Sequence, residues 1–159
     1  MARHCIWGLP ALSVLLLFAA ACDQPSPTAP LRPVSAESLE GPVAAKVERV
    51  IDGDTIQVQA AIWLGQSITV RVRIDGIDAP EPEARCTEER RLAGLARDYL
   101  VRRIGRTPIK LTHVAYDKYG GRVRATVSDA KGDVGSALIA AGLARPYHGE
   151  RRMPWCEAS

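Results

Sequence analysis

Asp52-Gly53-Asp54-Thr55 is the first of three short segments that carry acid and guanidinium groups. The second begins at Arg73 and runs through Asp78 and Ala79 to Glu81. The third is Asp117-Lys118-Tyr119-Gly120-Gly121-Arg122. Together they offer two aspartates for a cation, a glutamate for a proton and two arginines for an anion. Carboxylate oxygens suit a hard divalent cation, and the lack of clustered His or Cys beside them disfavours zinc. Ca²⁺ fits an irregular, partly hydrated site; Mg²⁺ fits less well with only two side-chain ligands. Arginine can grip two phosphate oxygens at once and does not lose its charge. The set could therefore hydrolyse a phosphodiester, with Glu81 taking a proton from water and Arg73 and Arg122 stabilising charge that gathers at phosphorus.

Strands must position these groups. Val43 to Ile51 reads as a strand that enters a hairpin turn at Asp52-Gly53. Thr55 to Ala60 alternates polar and apolar residues, and Leu64-Gly65-Gln66 makes the next turn. Ile68, Val70, Val72 and Ile74 then share one face, with Arg71 and Arg73 on the other. A helix follows, with Leu92, Leu95, Ala96, Tyr99, Leu100 and Ile104 at helical spacing. Thr87 is the expected cap, Glu88 and Glu89 suit the positive end, and Gly105 ends it. Ile109 to Val114 and Arg122 to Val127 are two further strands, and a short helix opens at Asp133 and closes at Gly142. Five strands with an inserted helix predict an α+β fold, a small Greek-key barrel of OB type with two or three helices.

The remainder of the chain speaks to export. Of the 159 residues, the first 21 hold a basic start, an apolar run from Leu9 to Ala21 and a small-residue end, as in a secretory signal peptide. Ala20-Ala21-Cys22 resembles the lipobox of bacterial exported lipoproteins, which makes Cys22 a candidate for acylation and the membrane a partner through that anchor. Residues 22–42 carry five prolines and read as a tether, leaving 43–159 as the folded domain. Export would place Cys86 and Cys156 in an oxidising compartment, and a disulfide between them is expected to clamp the tail onto the helix start. The net charge of +3 is compatible with a polyanionic substrate without demanding one. His113 reads as a strand residue, His148 as surface, and Trp63 and Trp155 as packing.

The domain resembles the staphylococcal nuclease (thermonuclease) family over about Val47 to Tyr147. The likeness is carried by Val50 to Thr55, by Arg73 five residues before Asp78, by Asp78-Ala79-Pro80-Glu81, by Asp117 to Arg122 and by Leu138 to Ala144. The resemblance implies a monomeric Ca²⁺-dependent enzyme acting on DNA and RNA, cutting the 5′ P–O bond and leaving 3′-phosphate ends. It implies that Asp54, Asp78 and the Ala79 carbonyl bind the metal, with Asp52 nearby. Glu81, favoured over Glu83, would be the base, and Arg73 and Arg122 would hold the scissile phosphate. Lys118, Tyr119 and Tyr147 would line the nucleotide pocket. Against the family pattern, one glycine is added at Gly120-Gly121 and the C-terminus is shorter. The competing reading is a catalytically silent OB module that binds nucleic acid or protein. Such a module has no need of all five charged groups, and with aromatics at 5% it is poorly supplied for base stacking.

Overall fold

A computed structural model describes residues 37–105 and 107–156. The expected signal peptide, most of the expected tether and Cys22 lie outside the described residues. The elements run β1 (Ser38–Leu39), β2 (Val43–Val50), β3 (Thr55–Trp63), β4 (Gln66–Ile74), β5 (Ile77–Asp78), α1 (Thr87–Ile104), β6 (Pro108–Tyr116), β7 (Arg122–Asp129), β8 (Gly132–Asp133), α2 (Val134–Ala140) and β9 (Arg145–Pro146). Strands β2, β3 and β4 form an antiparallel meander, β4 pairs in parallel with β7, and β7 returns to β6, which pairs with β2. The ring is thereby closed: a five-stranded barrel of OB type with two helices among the described residues. Closure leaves the long strands no free edge to shield.

The core follows from the alternation. Ile56, Val58, Val72, Ile74, Ile109, Leu111, Ala125 and Val127 point inward and are almost fully buried. Helix α1 adds Ala96, Leu100 and Ile104 to this cluster, and α2 adds Val134 and Leu138; Ala93 of α1 is buried as well. Small Ala93 and Ala96 let the helix backbone approach the barrel. Leu95, expected on this face, is instead 42% exposed.

Three other expectations are corrected. Cys86, not Thr87, caps α1: it is extended, and its sulfur accepts the Glu89 amide at 3.3 Å. Thr87 is the first helical residue, and its hydroxyl accepts from Arg90 instead. Trp63 does not pack; it stands 72% exposed near the β3–β4 turn. Part of the segment read as tether also joins the fold, since Ser38 and Leu39 pair with Ala115 and Val114 of β6. That pairing falls beside a bulge in β6, where His113 takes φ +51° and its amide bonds the Glu40 carbonyl at 3.0 Å.

Candidate active site

The β2–β3 turn sets the first carboxylate. The amides of Ile51 and Asp52 both donate to the Thr55 carbonyl, at 2.9 and 3.2 Å, and the Asp52 side chain accepts from the Asp54 amide at 3.0 Å. Gly53 is required here by space: a Cβ would come within 2.8 Å of the Ala96 Cβ and 3.0 Å of the Ala79 Cβ. The turn is thus wedged between α1 and the segment after β5. Asp54 emerges only 4% exposed. Its carbonyl accepts the Ile74 amide at 2.7 Å, and its Oδ1 accepts the Thr55 hydroxyl at 2.8 Å.

Arg73 arrives by register. Thr55 and Arg73 are direct partners across β3 and β4, so the base of that hairpin delivers the guanidinium to Asp54. Nη1 donates to Asp54 Oδ2 at 2.6 Å and Nη2 to the Ile77 carbonyl at 3.2 Å. Even so, burial pushes the Asp54 carboxyl up to about 6; Arg73 pulls it down, while Asp52 and Glu81 add to the rise. A buried carboxylate crowded by like charge is one that a bound cation would stabilise.

Asp78 is set by a different ladder. Strands β5 and β9 pair antiparallel with Asp78 opposite Arg145, and the Tyr147 amide bonds the Gly76 carbonyl at 3.0 Å. Asp78 is 4% exposed, and its Oδ1 accepts no hydrogen bond. The charge facing that oxygen is Arg152, whose Nε lies 3.0 Å away without an aligned N–H. Arg152 Nη1 also pairs with Glu81, whose amide donates to Glu89 at 3.3 Å.

Arg122 begins β7. Its Nε donates to Asp117 Oδ2 at 2.5 Å, and its guanidinium lies 4.9 Å from the centre of the Tyr119 ring. Gly121 takes φ +75°, a conformation that suits glycine, and the Asp117 amide bonds the Arg122 carbonyl at 3.2 Å. The longer loop is thereby closed without pulling Arg122 from the site.

A cavity of about 410 Å³ is lined by Asp52, Asp54, Arg73, Glu81, Arg122, Lys118, Tyr119, Tyr147 and Arg152. Lys118, Tyr119 and Tyr147 also line a second cavity of about 620 Å³ with Arg73 and Arg122. Asp78 and Ala79 open onto a third, of about 520 Å³, whose wall includes Glu81 and Arg152. Folding therefore unites Asp54, Glu81, Arg73 and Arg122, while Arg152 pairs with both Glu81 and Asp78. Sequence reasoning missed Arg152, because Glu150-Arg151-Arg152 reads as solvated tail. One signal could have found it: Cys86 lies five residues after Glu81 and Cys156 four after Arg152, so joining the cysteines brings the two together.

The donors fit a hard cation. Asp54 and Asp78 offer buried carboxylate oxygens, and Asp78 Oδ1 lacks a hydrogen-bond donor. The cluster of Cys86, Glu89 and Cys156 is no rival, since its cysteines form the expected disulfide.

An OB barrel with this acid and arginine set defines a phosphodiesterase-like class of domain. Residues 71–155 match the profile described as staphylococcal nuclease homologue, more than half of the chain, and the chain belongs to that family. The Asp52–Asp54 turn precedes the matched span, so its place in the site rests on geometry. Endonuclease YhcR of Bacillus subtilis (strain 168) is 30% identical over 118 residues, 69% of this chain. The chain spans 9% of the length of that relative.

Proposed function

We propose that this domain is a divalent-cation-dependent nuclease that hydrolyses phosphodiester bonds of DNA and RNA. Arg73 carries the reading: strand register locks it on Asp54, and it shares one cavity with Glu81 and Arg122. Family membership and a relative named an endonuclease support the same conclusion.

Asp54, Asp78 and the Ala79 carbonyl would hold the cation, assigned as Ca²⁺, with Asp52 buttressing Asp54 through the turn. When bound, the cation supplies positive charge at the phosphate oxygens and makes a nearby water more acidic. Glu81 accepts a proton from the attacking water as its oxygen bonds to phosphorus. Arg73 and Arg122 stabilise the charge that develops there. The bond from phosphorus to the 5′ oxygen breaks, that oxygen takes a proton from solvent, and a 3′-phosphate and a 5′-hydroxyl remain. Lys118, Tyr119 and Tyr147 contact the nucleotide. The Cys86–Cys156 disulfide supports a working place outside the reducing cytoplasm, in keeping with the signal peptide and Cys22 lipidation expected from the sequence.

The test is incubation with DNA and RNA, with Ca²⁺ or with chelator. The expected result is cation-dependent fragments whose ends accept label only after phosphatase removes a 3′-phosphate. Binding without cleavage would instead favour a silent OB module, and 5′-phosphate ends would overturn the assigned bond.

A further inference from the structure

Arg152 belongs to no helix or strand, yet the tail that carries it is restrained. Cys156 is bonded to Cys86 at the head of α1. Arg145 lies 3.9 Å from the Trp155 ring centre and donates to the Pro154 carbonyl at 3.1 Å. A tail pinned at residues 154–156 has little freedom in where it delivers residue 152. It delivers the guanidinium to Asp78 and Glu81 together.

That position has a consequence for the carboxylates. Asp54 and Asp78 line different cavities, and Arg152 lines both. A cation that approaches Asp78 must compete with the guanidinium already paired to it and to Glu81. A guanidinium and a dication also repel each other at such range. The Arg152 side chain is 42% exposed, so it can swing outward without burying its charge. The Tyr147 ring centre lies 5.9 Å from it, in the wall of the nucleotide-side cavities.

We propose that Arg152 is a gate on the cation site. In the cation-free protein it occupies the space between Asp78 and Glu81 as a built-in surrogate cation. A divalent cation binds by displacing it toward Tyr147, where it contacts the phosphate backbone of the substrate. The proposal rests on the cation reading of the site given above. It makes cation affinity lower, and substrate affinity higher, than the carboxylates, Arg73 and Arg122 alone would give.

The test is calorimetric titration of Ca²⁺ into the full oxidised chain without nucleic acid, for the wild type, Arg152→Gln and Arg152→Lys. Arg152→Gln is expected to bind Ca²⁺ about two- to fivefold more tightly, the scale of a partly exposed ion pair. Arg152→Lys keeps the charge and should stay near the wild type. Equal or weaker binding by Arg152→Gln overturns the gate. Reducing Cys86–Cys156 in the wild-type chain frees the tail without a mutation and should also tighten Ca²⁺ binding; no change there is equally fatal. At saturating Ca²⁺, Arg152→Gln should raise KM for an oligonucleotide several-fold, and an unchanged KM removes the substrate contact. If no form binds Ca²⁺, the cation reading itself falls. If wild type and Arg152→Gln bind it equally, only the gate does.

Discussion

The base of the β3–β4 hairpin and the C-terminal tail reach the same cavity by different physics. At the hairpin, Asp54 and Arg73 are held by backbone: Thr55 faces Arg73 in the ladder, and the Asp54 carbonyl takes the Ile74 amide at 2.7 Å. The tail from Arg151 to Cys156 has no ladder, and a covalent bond and a stacked arginine hold it. A ladder fixes a side chain to one register and so suits groups that must not move. A tail pinned at one end fixes only a neighbourhood, and so suits a group that must leave when something else arrives.

Breaking the hairpin side should have the largest effect. Arg73→Ala is expected to lower turnover roughly 10²–10³-fold, the scale for removing one well-placed donor. It also leaves Asp54 buried without its cation, so the cation-free melting temperature should fall and divalent cation should restore it. Steady-state cleavage rates within a few-fold of wild type would remove Arg73 from the mechanism.

The tail side breaks differently. Opening the disulfide, which spans 70 residues of sequence, should cost about 2–4 kcal/mol of stability. Denaturant titration with and without reductant reads this directly, and coincident curves would argue against a stabilising bridge. The hairpin base has its own restraints, so Ca²⁺ binding should survive reduction below the melting point.

A pH series sharpens the contrast further. Burial raises the Asp54 carboxyl in the fold from its ordinary 3.8 to about 6. A raised carboxyl favours the fold while it is protonated. Its contribution is complete below pH 3.8 and is lost as pH rises through about 6, on the order of 2–3 kcal/mol. Cation-free wild type should therefore lose stability between pH 4 and 7 relative to Asp54→Asn, and Ca²⁺ should remove the difference. Parallel profiles for the two proteins would show that Asp54 is not desolvated as described.

The smallest effect concerns the wedge under the turn. Gly53→Ala must push against Ala96 and Ala79, at an expected cost of about 1–3 kcal/mol, with weakened Ca²⁺ binding because the Asp52–Asp54 turn shifts. Wild-type stability and affinity in that variant would mean that the turn is not tightly seated.

Much of this was legible in the chain. Period-two alternation exposed the strands, Asp52-Gly53 marked the hairpin, and the Asp133 cap with Gly142 bounded α2 as expected. The helix face was partly misphased, because burial of Ala93 and exposure of Leu95 depend on how closely α1 approaches the barrel. The cap at Cys86 was missed because a disulfide sulfur is not an ordinary capping acceptor. Trp63 stands exposed where packing is expected, because nothing local says what an aromatic near a hairpin turn will meet.

Sequence alone determined the groups at the hairpin base, because ladder register converts spacing along two strands into a contact between Asp54 and Arg73. It also named the cysteines that join. Only the tertiary structure decided that Asp78 would face a guanidinium, and that the guanidinium would be Arg152. A tail without periodicity carries no pattern that says where it ends up. Its position is set by a bond across 70 residues and by the packing of Arg145 on Trp155, interactions that exist only once the chain has folded.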